Sequence, residues 1–182
     1  MDTNGFDAKE ALREASTARS KAEKVLTVFS GRLLVLWGAV YLVMYGGGAL
    51  GWAPPWLWMP LDAAAFAISF ALGSRVGEAF RTEVGCALRR TWIGFGGLMA
   101  LTVLAFALRG TADPLFSFVV NQLVAFALVQ SGEQLGQRGL RRGGWLLAGV
   151  NTLFFALAPE AYAFALAGMG ALAVAAGLGR VR

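Results

Sequence analysis

The sequence predicts an all-α membrane protein: a bundle of six transmembrane helices, preceded by a charged helix on the cytoplasmic side. Three observations predict it. The 182 residues are 57% hydrophobic and only 15% charged, with a mean hydropathy of +0.60, where a soluble domain carries about a quarter charged residues. The apolar residues gather into six long uncharged runs. Finally, 15 of the 16 Lys and Arg residues fall on one side of the zigzag those runs draw.

Residues 1–30 form the first element. Lys9, Arg13, Arg19, Lys21 and Lys24 alternate with Asp2, Asp7, Glu10, Glu14 and Glu23. The stretch lacks proline and is rich in alanine, so helix is its natural state. Asp7 and Glu10 have the spacing of a capping box. Arg19 and Glu23 sit four apart, where opposite charges support a helix. Its apolar face is thin (Leu12, Ala15, Ala22, Leu26, Phe29), too thin for a strong membrane-surface helix. Two continuations are open at Gly31: straight into the first span, or a break. No signal-peptide core is visible ahead of that span.

The membrane domain covers residues 31–182, with spans at 33–52, 56–74, 91–108, 114–132, 143–158 and 161–179. A spanning helix takes about 17–25 apolar residues. Only the fifth run falls short of that range. It reads as a tilted helix, a locally thinned site or a re-entrant segment.

The outer connections, 53–55, 109–113 and Pro159–Glu160, each contain or abut a proline, which suits a tight turn. The inner connections are expected to be longer and basic, with Arg75, Arg81, Arg89 and Arg90 in one and Arg138, Arg141 and Arg142 in the other. With both ends in the cytoplasm, the inside holds 15 basic and 8 acidic residues and the outside 1 and 3. The positive-inside rule selects that orientation. Trp52, Trp56 and Trp58 mark the outer interface, Trp92 and Trp145 the inner one. The expected location is a bacterial cytoplasmic (inner) membrane.

Three hairpins are suggested by a recurring Arg, Trp, Gly start: Arg32, Trp37, Gly38; Arg90, Trp92, Gly94; Arg142, Trp145, Gly149. Any basic-inside hairpin begins in this way, so the pattern is also compatible with topology alone.

Composition removes whole classes of function. The chain has no histidine and one cysteine, Cys86. Histidine-ligated haem, histidine-containing zinc sites and histidine general bases are excluded, as is an internal disulfide. No cofactor is expected. The sequence pI near 10 does not point to nucleic acid, because the basic residues hug the ends of the spans. Gly46, Gly47 and Gly48 lack the lysine of a phosphate loop.

The candidate sites are polar groups within the spans and stripes of small residues. Asp62 lies near the start of the second span, where it reads either as a helix-start acid or as part of an ion path. Asn121 and Gln122 in the fourth span and Asn151 in the fifth are mid-membrane amides, with Gln130 further inward. Such amides bond across helices or line a pocket or pathway. Ala163, Ala167, Ala171, Ala175 and Gly179 recur every four residues on the sixth span; Ala65, Ser69, Gly73 and Gly77 do so on the second. Both stripes suit close helix packing, within the bundle or between copies. Glu78 and Glu133, each after a glycine, occupy matching inner ends and read as solvated helix ends.

The chain resembles a group of poorly characterised bacterial six-helix membrane proteins. The resemblance rests on the charged N-terminal helix, the stretch Leu36-Trp37-Gly38-Ala39-Val40-Tyr41-Leu42-Val43 with Tyr45-Gly46, the Trp92-Ile93-Gly94 start and the Pro159-Glu160-Ala161-Tyr162 turn. It implies an accessory or sensory role and transfers no catalytic residue. The expected function is a non-enzymatic accessory or binding module in the bilayer, using the N-terminal helix for a cytosolic protein partner or for self-association. The alternative is a small oligomeric transporter or channel, with a polar route through the bundle.

Overall fold

The structure, a computed structural model, describes residues 8–79, 83–109 and 114–181. Every element among them is helical. Six long helices follow in order: α1 (Ala8–Tyr41), α2 (Trp58–Ala79), α3 (Glu83–Arg109), α4 (Pro114–Gln134), α5 (Arg138–Leu157) and α6 (Tyr162–Val181). Four helical stretches are long and apolar enough to cross a membrane: Glu10–Ala49, Arg89–Leu108, Leu115–Gln134 and Pro159–Val181. Asp7 of the capping pair, Arg81, Asp113 and the rest of the second outer turn lie outside the described residues, as do the side chains of Arg75, Glu78, Glu83 and Cys86.

At Gly31 the structure selects the straight continuation. The 34 residues of α1 run unbroken from the charged stretch into the first span. At 1.5 Å per residue that is a rod of about 50 Å. It continues through a π-helical turn, Leu42–Gly46, and a last α turn, Gly47–Ala49. Gly51, at φ 77°, then stops it. Trp52 N–H reaches Gly47 O at 3.0 Å and Gly51 N–H reaches Gly48 O at 3.2 Å, the paired bonds of a Schellman stop, with glycine in the left-handed position. The same device ends α4. Gly136 has φ 63°, Gln137 N–H bonds Gly132 O at 2.8 Å, and Gly136 N–H bonds Glu133 O at 3.2 Å.

That second stop corrects the expected long inner loop. Only residues 135–137 separate α4 from α5. Arg138, Arg141 and Arg142 therefore lie in the first turns of α5, where the helix dipole disfavours cations. Arg141 is offset by Glu133, with Nη1 donating to Oε1 at 3.1 Å.

Two helix pairs hold the bundle, α1 with α6 and α4 with α5. The first is antiparallel and built on glycine. A Cβ on Gly38 would lie 2.6 Å from Gly170 O, and one on Gly177 would lie 2.6 Å from Gly31 O. Glycines spaced by seven on each helix thus meet backbone to backbone, a packing that suits helices in lipid. In α4–α5, Gly144 plays this part: its Cβ would stand 2.7 Å from Ala125 O. Helix α2 lies on α1 through Ala65, which is 1% exposed, and through Trp37 Nε1–H donating to Ser69 Oγ at 3.0 Å. Trp37 also meets Phe66 edge-on at 5.0 Å. The Ala65, Ser69 and Gly73 stripe thus faces α1 within the chain. Helix α3 packs chiefly on α4, and little of it is buried. The three consecutive hairpins, α1–α2, α3–α4 and α5–α6, each meet less closely than those two pairs do.

Candidate functional site

The protein has three tyrosines, and all three converge on two asparagines at the centre of the bundle. Tyr41 and Tyr45 are four apart, so α1 presents them on one face. Tyr162 opens α6, set by the 3-10 turn Pro159–Ala161 before it. Asn121 comes from the middle of α4 and Asn151 from α5. Asn121 is 1% exposed and Asn151 fully buried. A buried amide without partners costs about 1–3 kcal/mol, and here each is bonded.

Tyr41 Oη donates to Asn121 Oδ1. Asn121 Nδ2 donates to Tyr45 Oη at 2.7 Å and to Ser117 O at 2.7 Å. Those two bonds use both of its hydrogens. The longer approach to Tyr162 Oη, 3.4 Å, is the weak member. Tyr162 Oη donates to Asn151 Oδ1 at 2.6 Å. Asn151 Nδ2 donates to Phe118 O at 3.0 Å. One connected network therefore ties α1, α4, α5 and α6 together. Around it lie aromatic rings: Phe118 stacks on Phe155 at 4.5 Å, and Phe155 meets Tyr162 edge-on at 5.8 Å.

The proposed polar pathway is only partly assembled. Asn121 and Asn151 are joined through Tyr162. Asp62 lies in the second turn of α2, half-buried, and shares a cavity with Tyr41, Tyr45 and Asn121. Gln122 points elsewhere, its Nε2 bonding Thr152 Oγ1 on α5 at 2.7 Å. Gln130 lies two turns further inward and half-buried, outside the network. On the side of the network nearer the start of α5, Ala125, Leu147 and Leu166 are 1%, 5% and 0% exposed, and they close the polar column with hydrocarbon.

The sixth-span stripe divides. Ala163 and Ala167 pack at the edge of the core. Ala171, Ala175 and Gly179 are exposed on the outer face of the chain. The small residues that α6 buries against α1 are instead Gly170 and Gly177. Between α2 and α3 runs an apolar groove of about 510 Å³ that includes Phe66, Gly96, Met99 and Val103 in its lining.

The tyrosines were not singled out from the sequence. The available signal was the four-residue spacing of Tyr41 and Tyr45 inside an otherwise aliphatic span. A buried phenol needs a partner, and mid-span asparagines are the natural one.

No family model matches this chain, and no curated protein or solved structure is similar to it. The resemblance drawn from the sequence therefore brings no residue roles to this site.

Proposed function

We propose that this chain is a non-enzymatic accessory or binding module of a bacterial cytoplasmic membrane. In this reading all six helices sit in the bilayer, with both termini in the cytoplasm. The observation that carries it is the unbroken α1. Most of the described side chains of its inner half, from Glu10 to about Val25, are exposed, and Ser16 and Thr17 bond back to Arg13 O. Its outer half is locked into the core by Gly31, Gly38, Tyr41 and Tyr45. A rigid charged rod anchored in this way suits a cytosolic protein partner or a second copy of the chain. The exposed Ala171, Ala175 and Gly179 face suits self-association in the membrane. The groove between α2 and α3 suits an apolar ligand or a partner helix.

The rival reading, a small oligomeric transporter or channel, needs a continuous polar route. The hydrocarbon closure inward of Asn121 and Asn151 speaks against one. The non-enzymatic reading rests on the residue inventory, which lacks histidine, and on the described residues, among which no nucleophile is paired with a base.

The test is purification of the tagged full chain from its native membrane in mild detergent, beside a variant lacking residues 2–24. That deletion stops short of Phe29 and Ser30, which reach the packed part of the bundle. A defined partner or oligomer that disappears with the deletion supports the reading. Unchanged assembly in the deletion variant overturns the role of the rod. If Asn121→Leu with Asn151→Leu abolishes ion or solute flux in a folded protein, the transporter reading takes its place.

A further inference from the structure

Among the described residues Ser131 Oγ and Gln134 Oε1 are buried without a bonded partner, and one ionisable group facing a cavity also lacks one. Asp62 is half-buried in α2, and among the described residues no cation and no hydrogen-bond donor reaches its carboxylate. Ionisable groups within spans are costly and pair or mark ion and proton sites. Asp62 faces a cavity of about 20 Å³. A void of about 10–15 Å³ on this measure holds one water, provided two to four polar partners are present. The residues that line it offer them, Asp62 with its carboxylate and Tyr41 and Tyr45 with their hydroxyls, beside the rings of Trp37 and Trp58.

A second observation falls at the same place. The π-helical turn of α1, Leu42–Gly46, forms one wall through Met44 and Tyr45, both buried. Isolated π turns are rare and concentrate at functional sites. The rod described above departs from regular α geometry only here.

We propose that the Asp62 cavity is a proton-binding site, in which one water links the Asp62 carboxyl to the tyrosine–asparagine network. The proton adds to a carboxylate oxygen, and the neutral acid then donates to the water, which donates onward to a tyrosine hydroxyl. In the charged form the carboxylate instead accepts from the water. The direction of hydrogen bonding at the end of the network thus reverses with one proton, and no covalent bond other than O–H changes. A dehydrated metal cation fits less well. The Asn121 carbonyl oxygen already accepts from Tyr41, and a single water's volume leaves no room for further water ligands. The groups that face Asp62 contain no countercharge: α1 offers Tyr41 and Tyr45, α4 offers Asn121, and α3 offers Met99. Tyr162 of α6 joins only through Asn121. The inference goes beyond the accessory reading, since partner binding by the rod and proton binding at Asp62 are separately measurable.

Infrared difference spectra of the full chain in lipid nanodiscs, taken between neutral and acidic buffer, test it. A protonated-carboxyl C=O band should rise on acidification, be absent in Asp62→Asn, and shift in frequency in Tyr45→Phe, which retains the acid but alters its water. Tryptophan fluorescence gives a readout on the native protein. Its acid-induced change should be lost in Asp62→Asn and reduced in Trp58→Phe, and sodium at constant pH should not reproduce it. If Asp62→Asn does not fold, the Tyr45→Phe frequency shift decides. A band identical in wild type, Asp62→Asn and Tyr45→Phe overturns the proposal. A sodium-induced change that depends on Asp62 replaces the proton with a metal cation and overturns it equally.

Discussion

Among the described residues Tyr162 donates the only bond to the Asn151 carbonyl oxygen, and it approaches Asn121 as well. Replacing it with phenylalanine keeps the ring against Phe155 and removes one oxygen. The Asn151 oxygen is then buried without a donor. In water-soluble proteins that costs about 1–3 kcal/mol. In bilayers the measured coupling is smaller, about 0.6 kcal/mol on average and about 1.7 at most. The upper end applies here, because Asn151 is fully buried. A double-mutant cycle of Tyr162→Phe with Asn151→Leu, read by unfolding in mixed micelles, should give a coupling of about 1–1.7 kcal/mol. The Arg141–Glu133 pair should behave differently. Its side chains are 41% and 56% exposed, and exposed pairs contribute about 0–1 kcal/mol. Glu133→Gln should leave stability unchanged within about half a kcal/mol in the same assay.

At the scale of elements, glycine decides which faces meet. A methyl on Gly38 or Gly144 has no space, whereas Gly149 has nothing within 4 Å of where its Cβ would lie. Gly38→Ala and Gly144→Ala should each cost about 1–3 kcal/mol from overpacking. Gly149→Ala should be neutral, or stabilising by up to about 1 kcal/mol, through helix propensity. Thermal unfolding of the three variants checks the contrast, and equal effects at Gly144 and Gly149 would count against the α4–α5 packing. Much of this level was legible beforehand. Six helical runs, the prolines at the turns before α2 and α6, and the Ala65, Ser69 and Gly73 face of α2 all follow from composition and spacing. The glycine pairing was not. Four-residue spacing on α6 drew attention to alanines, while the contact uses seven-residue spacing, which shows only when α1 and α6 are set side by side. The site was half legible for a similar reason. A mid-span asparagine announces itself by its cost in lipid, but a tyrosine does not, since its ring is at home there and only its hydroxyl needs company.

For the whole molecule, the uneven packing has a mechanical meaning. The pairs α1–α6 and α4–α5 are cross-braced by the polar network, while α3 rests on the outside. Native-state hydrogen exchange should therefore follow two tiers. Amides in the outer half of α1 and in α4, α5 and α6 should exchange slowest. Those of α3, and of α1 before about Val25, should exchange faster. Uniform protection of α3 and α6 in nanodiscs would contradict this division. The rod also passes its orientation to the bundle without a hinge. A partner that turns its exposed half acts on Tyr41 and Tyr45 directly.

The closest partners in the fold are far apart in the chain. Arg180 reaches Ser30 across 150 residues, at 3.5 Å. Chains emerge from the ribosome at about 5–20 residues per second. The glycine face of α1 therefore waits several seconds for α6 before it can be covered. During that interval the smoothest surface of the first helix lacks its final neighbour, and whatever occupies it must leave when α6 arrives. Assembly of this bundle is consequently a late event, completed by the segment synthesised after the other five helices.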